Sequence, residues 1–343
     1  MKPIHALLIA GLVALPLQGC GSAETATDPA ETESVLVEIP VVEPAVDVEA
    51  ERAQRIAEGE AATAAGEYET ALTIFRDILA ENPTIAVGFI GIGDVYMQTG
   101  DYDLAEPAFR RAARLEPGSY DAQLGHGQCL HRLGRLRDAI DAYARALSID
   151  PGSFDANLSV ATAYLALEQP TSALSFAEAA VAADAQSGPA HANLGSIYVL
   201  LDRHGAAVDE YLAAMELMPL SPPLLMNLIN ALAEERRHQE VINAVRVLLR
   251  LEESANAFER LGYAYFRLAQ YDRSLEAYRN AIDLDPDHWQ SLNGIGVNSI
   301  NRWLVSDKQD TEAAVTARTA FRRSLQVYPN QPRVLELMSN YQL

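Results

Sequence analysis

From residue 52 onward, apolar residues recur at three- and four-residue spacing in helix-length blocks separated by short polar turns. Ile92 and Tyr96, then Leu104, Ala108 and Phe109, show one such pair of blocks. The pair repeats about every 34 residues. Counted from the start of each unit, the eighth place is Gly59, Gly93, Gly127, Gly195, Gly262 and Gly296, with Ala161 in the fourth unit. Twelve residues on stand Ala71, Ala105, Ala139, Ala173, Ala207 and, after an insertion, Ala317. Four further on comes an aromatic: Phe75, Phe109, Tyr143, Tyr211, Tyr278 or Phe321. Each aromatic unit closes on a proline, Pro83, Pro117, Pro151, Pro219, Pro286 or Pro329.

The pattern is steric. Small residues at the eighth and twentieth places let two antiparallel helices approach closely, and the aromatic fills the space toward the neighbouring pair. Turns such as Thr99-Gly100-Asp101 and Leu133-Gly134-Arg135 separate the helices. The closing proline cannot continue the second helix and sets the turn into the next unit. A hairpin of this kind buries one face only against its neighbours, so its stability comes from stacking.

These residues resemble the tetratricopeptide repeat family. The resemblance implies an all-α, right-handed superhelical solenoid with units at 52–85, 86–119, 120–153, 154–187, 188–221, 222–254, 255–288 and 289–331. The fourth unit lacks the aromatic (Ala177) and the proline (Ala185). The sixth carries Ile229, Val241 and Val245 at the diagnostic places and is one residue short, which predicts a looser or re-angled joint. The eighth holds about nine extra residues around 301–316, including Trp303 and Lys308, read as a decorated loop or a prolonged helix end. A tail at 332–343 opens on Pro332 and sets Val334, Leu335, Met338 and Tyr341 on one side, as a short capping helix would.

Ahead of the repeats the character changes. Lys2 precedes an almost wholly apolar stretch over residues 4–17, long enough for a signal-peptide core but short of a membrane span. It ends Leu17-Gln18-Gly19-Cys20, which resembles a bacterial lipobox, although Gln18 departs from the usual residue there. The resemblance implies a signal peptide over 1–19, lipidation of Cys20 and attachment to a membrane. Several acyl chains together give stable anchoring where one is marginal. Gly21 stands where Asp would favour inner-membrane retention, so the expected place is the periplasmic side of an outer membrane. Residues 21–50 hold eight acidic residues, no Lys or Arg, and three prolines, the composition of an extended linker, which is expected over 20–51. Within it, Val35-Leu36-Val37-Glu38-Ile39-Pro40-Val41-Val42 could add as a strand to a partner or belong to the tether itself.

The net charge of −21 disfavours nucleic-acid phosphates and anionic headgroups. Lys2 and Lys308 are the only lysines. Two cysteines, Cys20 and Cys129, make no disulfide framework. Phosphate-loop, zinc-protease and nucleophile-elbow motifs are absent, and leader, linker, repeats and tail use the whole chain, so no enzyme activity and no small-molecule substrate are expected. His126 and Cys129 lie three apart on a helix, too few ligands for structural zinc. His126 stands at a place usually held by Leu and is expected between helices. No metal or other cofactor is expected.

In the tetratricopeptide family the first helix of each unit lines a concave groove. Carried over, that register places Asn193 and Asn227 at the sixth place of units five and six, Asn230 at the ninth place of unit six, and Arg260 and Arg267 in unit seven, all facing inward. An amide offers donor and acceptor together, which suits an extended peptide backbone. Earlier in the groove, Glu60, Asp94 and Gln128 take the ninth place, with His131 and Arg132 in unit three. The Lys/Asn/Arg set that clamps a carboxylate in chaperone-binding members is not reproduced. The expected function is a lipid-anchored interaction scaffold of the cell envelope, binding other proteins or peptides. The alternative is a structural component that assembles with copies of itself.

Overall fold

The structure is a computed structural model that describes residues 48–343. Cys20, the expected leader and most of the expected linker lie outside these residues. Among the described residues there are seventeen helices and no strand.

The helices pair into eight antiparallel hairpins. They are α1(Val48–Ala64) with α2(Tyr68–Glu81), α3(Ala86–Thr99) with α4(Tyr102–Leu115), α5(Tyr120–Arg132) with α6(Leu136–Ile149), and α7(Phe154–Ala166) with α8(Pro170–Ala183). Then follow α9(Gly188–Leu200) with α10(His204–Leu217), α11(Pro222–Glu234) with α12(His238–Leu251), α13(Ala255–Arg267) with α14(Tyr271–Leu284), and α15(Trp289–Val305) with α16(Thr311–Val327). The last helix, α17(Pro332–Asn340), packs on α16. The first helix thus starts at Val48, four residues ahead of the repeat start read from the pattern.

Each second helix packs on the first helix of the next hairpin, and successive first helices also touch one another. Second helices do not pack closely on one another among the described residues, so the first helices form one wall of the stack. Five of their N-termini are pinned by a serine ladder. Ser119, Ser153, Ser187, Ser221 and Ser254 each accept from the amide three residues on, at Ala122, Ala156, Ala190, Leu224 and Ala257. Each bond satisfies one orphan donor of the first turn.

In units one, two and seven the aromatic at the end of the repeat pattern is clamped between two glycines. A Cβ at Gly59 or at Gly91 would fall 2.7 or 2.3 Å from the Phe75 ring. Gly93 and Gly125 flank Phe109 in the same way, and Gly262 and Gly294 flank Tyr278. The eighth-place glycine therefore closes the ring's own hairpin, and the sixth-place glycine of the next unit closes the joint.

Where the pattern departs, packing adapts. In unit four Ala177 is buried, and the aromatic work passes to Phe176, which stacks on Tyr164 at 6.0 Å between centroids. In unit six, α11 and α12 approach less closely than the pairs of units two to five, seven and eight. The gap is not left loose. Ile229 and Val245 are fully buried in the largest apolar cluster, with Leu225, Ile242 and Leu248. Branched aliphatics at the two contact places hold the helices apart and fill what they open.

Two residues of the apolar pattern lie outside the core. Leu104 is 53% exposed, the α4 face being buried through Ala105, Ala108 and Phe109 instead. Leu335 is also 53% exposed, and the cap packs through Val334, Leu337, Met338 and Tyr341. The unit-eight insertion prolongs both helices to 17 residues and turns through Asp307 and Lys308.

Candidate peptide-binding groove

The first helices carry the residues that the repeat register turns inward. The expected five lie on three successive members of the wall: Asn193 on α9, Asn227 and Asn230 on α11, and Arg260 and Arg267 on α13. α9 touches α11, and α11 touches α13.

Their side chains are not equally free. Asn193 is half-buried; its Nδ2 donates to Thr162 Oγ1 on α7 at 2.8 Å, and its Oδ1 is covered with no partner. Thr162 in turn donates to the Leu158 carbonyl, which fixes the direction of the bond. Asn227 is exposed and Asn230 half-buried, and neither side chain makes a hydrogen bond among the described residues. Arg260 is half-buried with Nε 3.7 Å from Glu259 Oε2. Burial raises Glu259 above the usual carboxylate range, and Arg260 opposes that rise. Arg267 is exposed, donates to Tyr263 Oη at 2.8 Å and lies 5.7 Å from the centre of that ring. His238 meets the Tyr263 ring edge-on, 6.2 Å between centroids.

The sixth place has a second duty that the linear pattern does not reveal. It holds glycine against the preceding ring at Gly91, Gly125 and Gly294, whereas Ser159 follows Tyr143 and Asn227 follows Tyr211. Asn193 follows the ringless Ala177 unit, and Arg260 follows Val245. Both larger side chains stand where the preceding unit has no aromatic. The sixth place is thus a joint as well as a groove position.

The opposite end of the wall is acidic. Glu60 and Asp94 line a cavity of about 260 Å³ with Phe75, Ile90 and Met97. Asp94 is solvent-accessible but ringed by the walls of the stack. Restricted hydration first, then the charges of Asp121 and Glu60, push its carboxyl up to about 6. At unit three, His131 is held below its ordinary value by desolvation and by Arg132, and its ring meets Tyr143 edge-on at 6.5 Å.

His126 lies between helices, with Nε2 3.3 Å from Glu106 Oε1, and desolvation lowers its pKa. Cys129 Sγ instead faces Met97 Sδ at 3.1 Å, and burial pushes its thiol up to about 12. The two side chains turn to different neighbours. Among the described residues no group of three or more His, Cys, Asp and Glu side chains is placed to hold a metal ion. No helix of the described residues is long and apolar enough to cross a membrane.

Models of the tetratricopeptide repeat match residues 90–154, 130–197, 188–219 and 255–288. These residues are tetratricopeptide repeats. Arrays of this family are protein-interaction scaffolds, and the chain is built as one. A curated relative, the small glutamine-rich tetratricopeptide repeat-containing protein 2 of Mycosarcoma maydis, is 26% identical over 91 residues. That match spans 26% of this chain and 26% of the relative. Among solved structures, a thermophilic TPR protein of Thermus thermophilus is 20% identical, with 53% of this chain and 99% of that one covered, at a TM-score of 0.42. MamA of Desulfovibrio magneticus is 21% identical, with 48% and 94% covered, at a TM-score of 0.46. YrrB, described as a TPR protein with an unusual peptide-binding site, is 21% identical, with 64% and 95% covered, at a TM-score of 0.41. These likenesses carry no functional argument.

Proposed function

We propose that this tetratricopeptide protein is a lipid-anchored, non-catalytic scaffold of the bacterial cell envelope that holds an extended segment of a partner protein against α9, α11 and α13. The observation that carries the groove reading is the set of unfilled amides on α11. The side chains of Asn227 and Asn230 have no hydrogen bond among the described residues. Two other amides on the first helices are spent on the chain's own backbone: Gln123 donates to the Pro117 carbonyl, and Asn157 to those of Pro151 and Ser153. A free amide can meet both groups of a peptide unit. Arg267, exposed and stacked on Tyr263, adds a cation at the next unit. Asn193 is tied to α7 by one N–H held on Thr162, and its Oδ1 is covered and unmet.

The anchor rests on the sequence around Cys20 and on the acidic, proline-bearing residues between it and the repeats. Replacing Asn227 and Asn230 by Ala should deplete cross-linked partners in the native cell while leaving helicity intact. An unchanged set of partners would remove the groove reading. Cys20→Ala should move the protein out of the membrane fraction; retention there would remove the anchor.

A further inference from the structure

The prolonged helices of unit eight build a second recess, away from the amides of α11. The last turns of α15 and the first turn of α16 meet the first half of α14 around a cavity of about 840 Å³. That volume is in the range of ligand pockets. The regular repeat does not supply it: residues 301–316, where the extra length falls, contribute Asn301, Arg302, Val305, Ser306, Asp310 and others to its lining.

Three features define what it would accept. Asn298, only 4% exposed, lines the cavity. Its Nδ2 donates to Ser274 Oγ at 2.9 Å and to the Gly294 carbonyl at 3.1 Å, which sets the orientation of the amide. Its Oδ1 is buried with no partner. A covered acceptor left unmade is costly, so the site favours an N–H donor. Second, Arg273 and Arg279 line the cavity and belong to no ion pair among the described residues. Arg273 donates only to the neutral Gln270 Oε1, at 3.0 Å. Third, Val305 is 76% exposed beside Leu275 at the same lining, an apolar surface with nothing over it.

Of the three carboxylates in the lining, one is paired and two sit at helix N-termini. Asp310 pairs with Arg302 at 2.6 Å and caps α16. Asp272 and Glu312 stand in the first turns of α14 and α16, where the helix dipole offsets their charge. Unit eight as a whole carries Arg302, Lys308, Arg318, Arg322 and Arg323 against Asp307, Asp310 and Glu312. It is the one repeat with a net positive charge in a chain of net charge −21.

We propose that this recess binds a short acidic peptide segment of a partner protein. Its carboxylates meet Arg273 and Arg279, a backbone N–H is directed at Asn298 Oδ1, and an apolar side chain covers Leu275 and Val305. The site is independent of the α11 amides.

The test is fluorescence anisotropy of the full chain with a labelled, end-blocked Glu-Val-Glu-Leu-Glu peptide and its Lys-Val-Lys-Leu-Lys counterpart. The acidic peptide should bind, with an affinity that falls as salt rises, and the basic one should not. Arg273→Glu with Arg279→Glu should weaken binding at least tenfold, and so should Val305→Glu alone. Asn227→Ala with Asn230→Ala should leave it unchanged. Circular dichroism checks that the variants are folded; Val305 is so exposed that its variant decides the matter if the double reversal loses helicity. No binding of the acidic peptide, equal binding of the basic one, or binding that survives the variants would overturn the proposal. Competition by free glutamate at the peptide's own concentration would assign the recess to a small carboxylate and overturn it too.

Discussion

Gly125→Ala is the sharpest probe of how this array is held together. A Cβ at residue 125 falls 2.3 Å from Phe109 Cε1, 2.6 Å from Cδ1 and 2.8 Å from Cζ. Carbon atoms in contact sit ~3.5–4.0 Å apart, so the overlap exceeds ~1 Å. The ring cannot retreat. It is 1% exposed, and on its other side a Cβ at Gly93 would already lie 2.6 Å away, so the backbone there is equally close. The methyl must push α5 off α4 or force the ring from its rotamer. Overpacking of this kind costs about 1–3 kcal/mol. Ala is favoured over Gly in a helix by ~1 kcal/mol, which offsets part of it. With an overlap this large the net effect is about 1–2 kcal/mol of destabilisation. Urea unfolding followed by circular dichroism measures it, compared at the level of midpoints because stacked repeats need not unfold in one step. Gly118→Ala is the control, since nothing lies within 4 Å of its Cβ position. Phe109→Leu in the Gly125→Ala background should cost less than Phe109→Leu alone, because the smaller side chain relieves the clash. A Gly125→Ala protein as stable as the parent would refute the clamp.

Other outcomes follow from single features. Glu168 is exposed and holds a left-handed backbone (φ 55°) where units one to three have Gly66, Gly100 and Gly134, so Glu168→Gly should stabilise by about 1 kcal/mol, read from the urea midpoint. Ser221→Ala removes the cap on Leu224 N at the start of α11 and should cost about 1 kcal/mol in the same assay. Asp94→Asn should stabilise the fold above pH 6. Its carboxyl binds a proton more tightly folded than unfolded, so ionisation penalises the native state as pH rises from about 4 to 6, and the difference between the two proteins should vanish below pH 4. A gap that widens toward low pH would reverse the sign of that reasoning.

The hairpins were legible in the linear pattern because one steric rule recurs with fixed spacing. Gly93, Ala105, Phe109 and Pro117 each have a single tolerable size or backbone role, and seeing that role repeated identifies the unit. Leu104 and Leu335 were not legible, because an apolar residue at helical spacing enters the core only if a neighbouring helix covers it. Ala105 and Leu337 lie on the covered side. The candidate site was legible in part. The register placed Asn193, Asn227, Asn230, Arg260 and Arg267 on three neighbouring helices, but their free hydrogen bonds depend on who stands opposite. Thr162, 31 residues from Asn193, takes one of the two N–H donors of its amide.

The sequence alone determined the repeat, its period and the helix pairs, since these depend on residue size and local turn chemistry. Tertiary structure decided the rest. It set which glycine clears which ring, since Gly125 answers to Phe109 in the preceding unit. It filled the wider sixth hairpin with Ile229 and Val245. It also turned the extra residues of unit eight into two longer helices that leave Asn298 with an unmet acceptor beside an open recess. Each of these depends on atoms brought together from different units, and a period along the chain carries no record of such distances.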